Sequence, residues 1–204
     1  MGEKTVKPGI GILDTAITHA ILPTLPFWHA ARCTPNALTT LGMISSASCV
    51  YFLYRRNFPA ALGFLVARVY FDYADGLLAR KYGQTSAIGD WYDHLVDVSF
   101  AVGVTLVLVC SKYRTGTGVW CVDHLKHISL GLLALFFALF VVQMGCIEKN
   151  YNGGKEKMQQ ETSISRLRHM CPSRLERVVR CFDNGTLYIV TGIIFYLFCH
   201  VGKP

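Results

Sequence analysis

The sequence predicts an all-α integral membrane fold, a bundle of five to six transmembrane helices with an N-terminal interfacial helix. Three observations carry this. The 204 residues are 52% hydrophobic and only 16% charged. The apolar residues are gathered into five runs, at 37–53, 59–73, 87–110, 128–147 and 187–201. The basic residues that give a net charge of +7 stand beside these runs, which argues for membrane surfaces and against nucleic acid as the partner. No repeat or low-complexity tract divides the chain, so 1–204 reads as one membrane domain. Within it, 1–33 is an interfacial segment and 148–185 a polar, cytoplasmic loop.

The elements follow in order. The stretch GIGILDTAITHAILPTLPFW (9–28) is broken by Asp14, His19, Pro23 and Pro26. It predicts a helix lying in the interface and ending at the prolines, not a span. Crossing the hydrocarbon core takes about 20 residues. Runs 87–110 and 128–147 reach that alone, and the other three reach it with their polar ends included. Between Glu148 and Gly185, eight Lys/Arg face five Asp/Glu, which places this loop on the cytoplasmic side. Single crossings then put the turn near Gly83, with Arg80 and Lys81, on the same side, and the 111–126 connection on the other. Arg55 and Arg56 fall on the opposite side, against the rule. Within the loop, Ser173 and Glu176 form a capping box. Leu175, Val178, Val179 and Phe182 follow at helical spacing, with Arg174, Arg177 and Arg180 around them. A short basic amphipathic helix over 173–182 is expected, lying on an anionic surface or packed on its own protein.

Other classes are excluded or unsupported. GIG at 9–11 and GTG at 116–118 lack the further glycines of a dinucleotide-binding loop. No cleavable signal is expected, because the N-terminus has no continuous apolar stretch before a small-residue cleavage site. Val6 stands where myristoylation requires Ser or Thr. The eight cysteines form no CxxC pair, and Cys49, Cys110 and Cys199 lie in apolar runs. They read as small buried hydrophobes, not as metal or disulfide partners.

The chemistry is concentrated in DYADGLLARKYGQTSAIGDWYDHLVD (72–97), which holds five aspartates. If the flanking runs are antiparallel helices joined near Gln84, Asp75 pairs in depth with Asp93, and Asp72 with Asp97. At 1.5 Å per residue the deeper pair lies roughly 20 Å from the turn. Spacings of i, i+3 and i, i+4 keep each helix's carboxylates on one face. Four acids below the interface are costly, at about 2.5–3.5 kcal/mol each on insertion scales, and intramembrane acids are functional by default. Two divalent cations would neutralise them with oxygen ligands, which suits Mg²⁺ or Mn²⁺. The structural alternative pairs them with Arg68, Arg80 and Lys81. Asp90, nearer the surface, is expected to be solvated or capping. Gly76 and Ala79 leave a bare groove beside Arg80, open to a flat ligand or to helix packing; Gly89 has the same two readings.

The stretch resembles the signature D-x2-D-G-x2-A-R-x8-G-x3-D-x3-D of the CDP-alcohol phosphotransferases. It matches at every fixed position: Asp72, Asp75, Gly76, Ala79, Arg80, Gly89, Asp93 and Asp97. TPNALTTLG (34–42) is similar to the segment that opens this family's first span. The resemblance implies an integral membrane enzyme of phospholipid synthesis, which transfers a substituted phosphate from a CDP-alcohol to a second alcohol and releases CMP. It implies Mg²⁺ or Mn²⁺, as two ions, held by Asp72, Asp75, Asp93 and Asp97, with Asp97 a ligand or the general base. Gly76, Ala79 and Arg80 would line the nucleotide site, with Asn36 and Thr39 nearby. One substrate would be a lipid, the active site would lie at the cytoplasmic face of an endomembrane such as the endoplasmic reticulum, and a homodimer is admitted. The family usually has six spans, against five here plus the interfacial helix. The Asp93-His94 pair resembles the choline and ethanolamine phosphotransferases, whereas the chain's size resembles enzymes that take CDP-diacylglycerol. A membrane cation transporter using the same aspartates is the alternative function. It would scatter acids over several helices, and here they are confined to one hairpin.

Overall fold

A computed structural model of the chain describes residues 11–113, 116–152, 165–171 and 176–201. Its helices are α1 (Ile12–Ile21), α2 (Leu25–Ala30), α3 (Pro35–Tyr54), α4 (Phe58–Lys81), α5 (Ala87–Cys110), α6 (Trp120–Asp123), α7 (Leu125–Asn152), α8 (Glu176–Val179) and α9 (Asn184–His200). No strand occurs among the described residues. Each long apolar run is therefore a helix. Three of them, Pro35–Tyr54, Ala87–Cys110 and Leu125–Ile147, are long and apolar enough to cross a membrane by length and composition alone. α4 is equally long but carries Arg68, Asp72, Asp75, Arg80 and Lys81, and α9 is a shorter apolar helix.

Local sequence sets the helix ends. Thr34 caps α3 ahead of Pro35, and Asn57 caps α4 ahead of Pro59. Ser86 caps α5 by accepting from the Gly89 N–H at 3.0 Å. Between α4 and α5, Gly83 takes φ +69°, a left-handed conformation that glycine adopts without a Cβ clash. α3 packs along α4 and α5, and α9 packs along α4 and α7. One apolar core (Leu53, Leu65, Phe100, Leu108, Phe195 and neighbours) joins α3, α4, α5 and α9. A second, with Leu25, Leu38, Leu77 and Leu78, seats the N-terminal segment on α3 and α4. Only 22% of the spanning windows of α5 and α7 is buried, and Leu95, Val102, Leu106, Leu135 and Phe137 point outward. Apolar residues on the outside are what a hydrocarbon solvent requires.

The N-terminal segment departs from expectation. α1 does end at Ile21, just ahead of Pro23, but the segment stays helical beyond it. Leu22–Thr24 form a 3₁₀ turn and the helix resumes as α2, with Pro26 in its first turn. Trp28 Nε1 donates to Tyr70 Oη at 2.7 Å, and the Tyr70 hydroxyl donates to Thr24 Oγ1 at 2.8 Å. The His29 ring stacks on Tyr82 at 3.7 Å. Asp14 does not face water either. It is buried, accepts from the Gly185 N–H at 2.8 Å, and accepts the Tyr73 hydroxyl. Burial pushes its carboxyl above the usual range, against these hydrogen bonds.

Asp183 is the other half of this junction. Its Oδ2 accepts from Leu13 N (2.9 Å) and Asp14 N (3.0 Å), and its Oδ1 from Thr186 N (2.9 Å) and Thr186 Oγ1 (2.8 Å). One carboxylate thus caps α1 and α9 together, at 1% exposure. A Cβ on Gly11 would collide with it. Each lost cap costs about 1 kcal/mol, and the bared N–H groups are buried. Asp183→Ala should therefore lower thermal stability in detergent by roughly 2–4 kcal/mol; an unchanged Tm would remove the double cap.

Three further differences have physical causes. Arg56 serves structure where the charge rule disfavours it: its guanidinium donates to the Phe198 and Lys112 carbonyls, both at 2.5 Å, and lies 4.0 Å over the Phe198 ring. Cys146 and Cys171 form a disulfide, contrary to the reading of the cysteines as isolated hydrophobes. The partners are 25 residues apart, a separation that no short motif reveals. Beside this bond Gly145 meets the Leu167 carbonyl so closely that a Cβ would stand 2.3 Å from it. Cys49 and Cys199 are buried as expected, whereas Cys110 is exposed. The basic helix is α8, which covers residues 176–179 of the 173–182 expected. The proposed Ser173–Glu176 capping box lies outside the described residues, as do Arg174 and Leu175.

Candidate active site

α4 and α5 bring the four signature aspartates together, with Asp93 facing the charges of Asp72, Asp75 and Asp97. Asp75 is the most enclosed, at 4% exposure, and its Oδ2 accepts from Thr39 Oγ1 at 2.5 Å. That bond ties the α3 segment to the hairpin. Asp72 has 12% of its side chain exposed; its Oδ2 accepts from Asn184 Nδ2 (3.3 Å) and from the Tyr188 hydroxyl (3.4 Å). Asp93 and Asp97 lie one turn apart on α5, and the ligand atoms of Asp93, His94 and Asp97 fall within 4.8 Å of one another. Asp97 is the open member, with 45% of its side chain exposed.

One cation is built into the cluster. Arg68, 3% exposed, sets Nη2 2.6 Å from Asp97 Oδ1 and Nη1 3.5 Å from Asp72 Oδ1. Nη1 also donates to Tyr188 Oη at 2.7 Å. The ion-pair reading therefore holds for Arg68 with two of the four acids. It leaves Asp75 with a hydroxyl partner in Thr39.

The substrate-side residues stand around the mouth. The nearest atoms to a Cβ on Gly76 would be those of the Arg80 guanidinium, the first at 3.2 Å. Ala79 and Arg80 are half-buried, and Asn36 is exposed. Gly89 marks a close approach instead: its Cβ would lie 3.0 Å from Asn36 Oδ1. Asp90 is exposed in the first turn of α5, whose cap is Ser86. Asn184 and Tyr188 are site residues that sequence reasoning missed. Their only signal is their polar side chains at i, i+4 where the last apolar run begins.

The donors suit a hard divalent cation. They are carboxylates gathered from two helices, with one imidazole beside them. The chemistry of these donors is open to a divalent ion, and the family of the chain bears on what such a face is for. Residues 32–169 match the CDP-alcohol phosphatidyltransferase family, and the chain belongs to it. It is 26% identical over 113 residues to the CDP-diacylglycerol–inositol 3-phosphatidyltransferase of Saccharomyces cerevisiae, covering 55% of this chain and 48% of that one. It is 30% identical over 107 residues to the CDP-diacylglycerol–serine O-phosphatidyltransferase of Mycobacterium leprae, covering 52% and 36% respectively. The aligned part thus spans less than half of each relative's length. No solved structure matches the chain.

Proposed function

We propose that this chain transfers a phosphatidyl group from CDP-diacylglycerol to a small polar alcohol, releasing CMP. The observation that carries the reading is the convergence of all four signature aspartates on one face, in a chain of this family. The two relatives' names supply the donor. Asp72, Asp75, Asp93 and Asp97 would hold Mg²⁺ or Mn²⁺, which would act as a Lewis acid on the diphosphate. Gly76 and Ala79 would let the nucleotide approach the backbone, with Arg80, Asn36 and Thr39 at its edge. Asp97, with its open side, would take the proton from the acceptor hydroxyl. The hydroxyl oxygen bonds to the lipid-bearing phosphorus, the phosphorus–oxygen bond to CMP breaks, and CMP leaves with the electron pair.

The site would face the cytoplasm, in an endomembrane such as the endoplasmic reticulum if the cell is eukaryotic. The Cys146–Cys171 disulfide on the same side would stand against that placement, since cytosolic thiols are kept reduced. The 1–33 segment would lie along this face, in one membrane domain with the rest of the chain. The test is CMP release by purified protein with Mg²⁺ or Mn²⁺. CDP-diacylglycerol would be offered with inositol, serine or glycerol phosphate, and CDP-choline or CDP-ethanolamine with diacylglycerol. Release in one of the first three arms is expected. Release only with the soluble CDP-alcohols would reverse the assignment of the donor, and uptake of the ion without CMP would replace transfer by transport.

A further inference from the structure

We propose that Arg68 is a resident counter-ion of the carboxylate hairpin and competes with the divalent ion for Asp72 and Asp97. The inference rests on the reading of this face as a metal site. Arg68 sits mid-helix in an apolar stretch, one turn before Asp72, at 3% exposure. Its two terminal nitrogens reach Asp97 and Asp72 across the α4–α5 groove, at 2.6 and 3.5 Å. The guanidinium lies over the Phe100 ring at 4.5 Å and the Tyr188 ring at 5.4 Å, so the position is sealed from water on two sides. Tyr188 accepts from Nη1 and donates to Asp72, which fixes the fork. Among the described residues, Nε is buried with no hydrogen-bond partner. The side chain is thus placed for the two carboxylates and leaves its third donor group unpaired, which an arginine serving only to fill the core would not do.

A fixed positive charge here has two opposed effects. It keeps the cluster tolerable before any ion arrives, because four carboxylates at this depth repel one another. It also repels the ion and occupies the Asp97 oxygen that a ligand role needs. Removing it should therefore weaken the empty protein while tightening metal binding. A purely structural arginine would do otherwise, since its loss would loosen the hairpin and weaken both.

The experiment uses the full chain in detergent, with Mn²⁺ as the probe: affinity from the paramagnetic resonance signal of the free ion, and Tm with and without Mn²⁺. Even screened as in water, one unit charge about 6 Å from a divalent ion changes affinity roughly tenfold. Arg68→Gln should bind Mn²⁺ at least about tenfold more tightly than wild type, with a lower Tm when empty and a larger rise on adding Mn²⁺. Arg68→Lys keeps the charge but cannot pair with both carboxylates at once, so its affinity should fall between the two. If Arg68→Gln does not survive without metal, the lysine variant carries the test. Affinity in either variant at or below that of wild type would overturn the counter-ion role. A wild-type protein that binds no Mn²⁺ would instead remove the metal-site reading, and this proposal with it.

Discussion

Exhaustive chelation of divalent ions should abolish CMP release, and Mg²⁺ or Mn²⁺ should restore it. The expectation follows from charge at depth. Asp72 and Asp75 lie on α4 and Asp93 and Asp97 on α5, and Arg68 pairs with two of them. Asp75 is 4% exposed, takes a hydrogen bond from Thr39 and feels the charge of Arg80, which leaves four carboxylates to few cations. Divalent ions would supply the missing charge and a bridge to the diphosphate in one step. The effect should be total, because the same ions would both hold the substrate and ease departure of the leaving group. Turnover that survives chelation at full rate would end the metal account.

Asp97→Asn should lower turnover by about 10²–10⁴-fold while retaining much of the metal and CDP-alcohol binding. Asparagine keeps an oxygen of similar size but cannot accept the proton. Asp97 is singled out by its surroundings: 45% of its side chain is open to an incoming alcohol, whereas Asp75 is held by Thr39 and enclosed. Asp72→Asn and Asp75→Asn should instead show their loss first in Mn²⁺ affinity. A covalent route, with an aspartate attacking phosphorus, would invert configuration twice and so retain it, whereas direct displacement inverts once. Retention in a chiral-phosphate analysis, or near-normal turnover by Asp97→Asn, would take Asp97 out of the role of base.

What the sequence revealed and what it hid divide along chain distance. The aspartate hairpin was legible as two helices joined by a turn, since i, i+3 and i, i+4 spacings on two adjacent helices are local facts. The apolar runs fell where the helices are, because in lipid every backbone group must be satisfied within its own helix. Contacts between distant segments left no trace. Asn184 and Tyr188 reach Asp72 from 112 and 116 residues away, and Cys171 finds Cys146 across 25. Arg56 looked like an orientation error until the Phe198 carbonyl of α9 and the Lys112 carbonyl beyond α5 were seen to accept from it. Asp14 read as a polar break in an interfacial helix, whereas its partners, Tyr73 and Gly185, make it part of a buried junction. Arg68 was recognisable as a cation near the acids; its bridging of α4 to α5 is a tertiary fact.

The shared cap at Asp183 bears on how the molecule is made. Leu13 and Asp183 are 170 residues apart, so α1 leaves the ribosome long before the side chain that finishes it. Until α9 is made, the Leu13 and Asp14 N–H groups lack the carboxylate that accepts from them in the folded chain. The arrival of Asp183 closes the first helix onto the last, and Asn184 and Tyr188 come with it, set beside Asp72 in the same movement. Assembly of the ends and completion of the carboxylate face are thereby one late event in biosynthesis. A nascent chain that stalls before α9 carries the whole signature hairpin without the two side chains that steady Asp72.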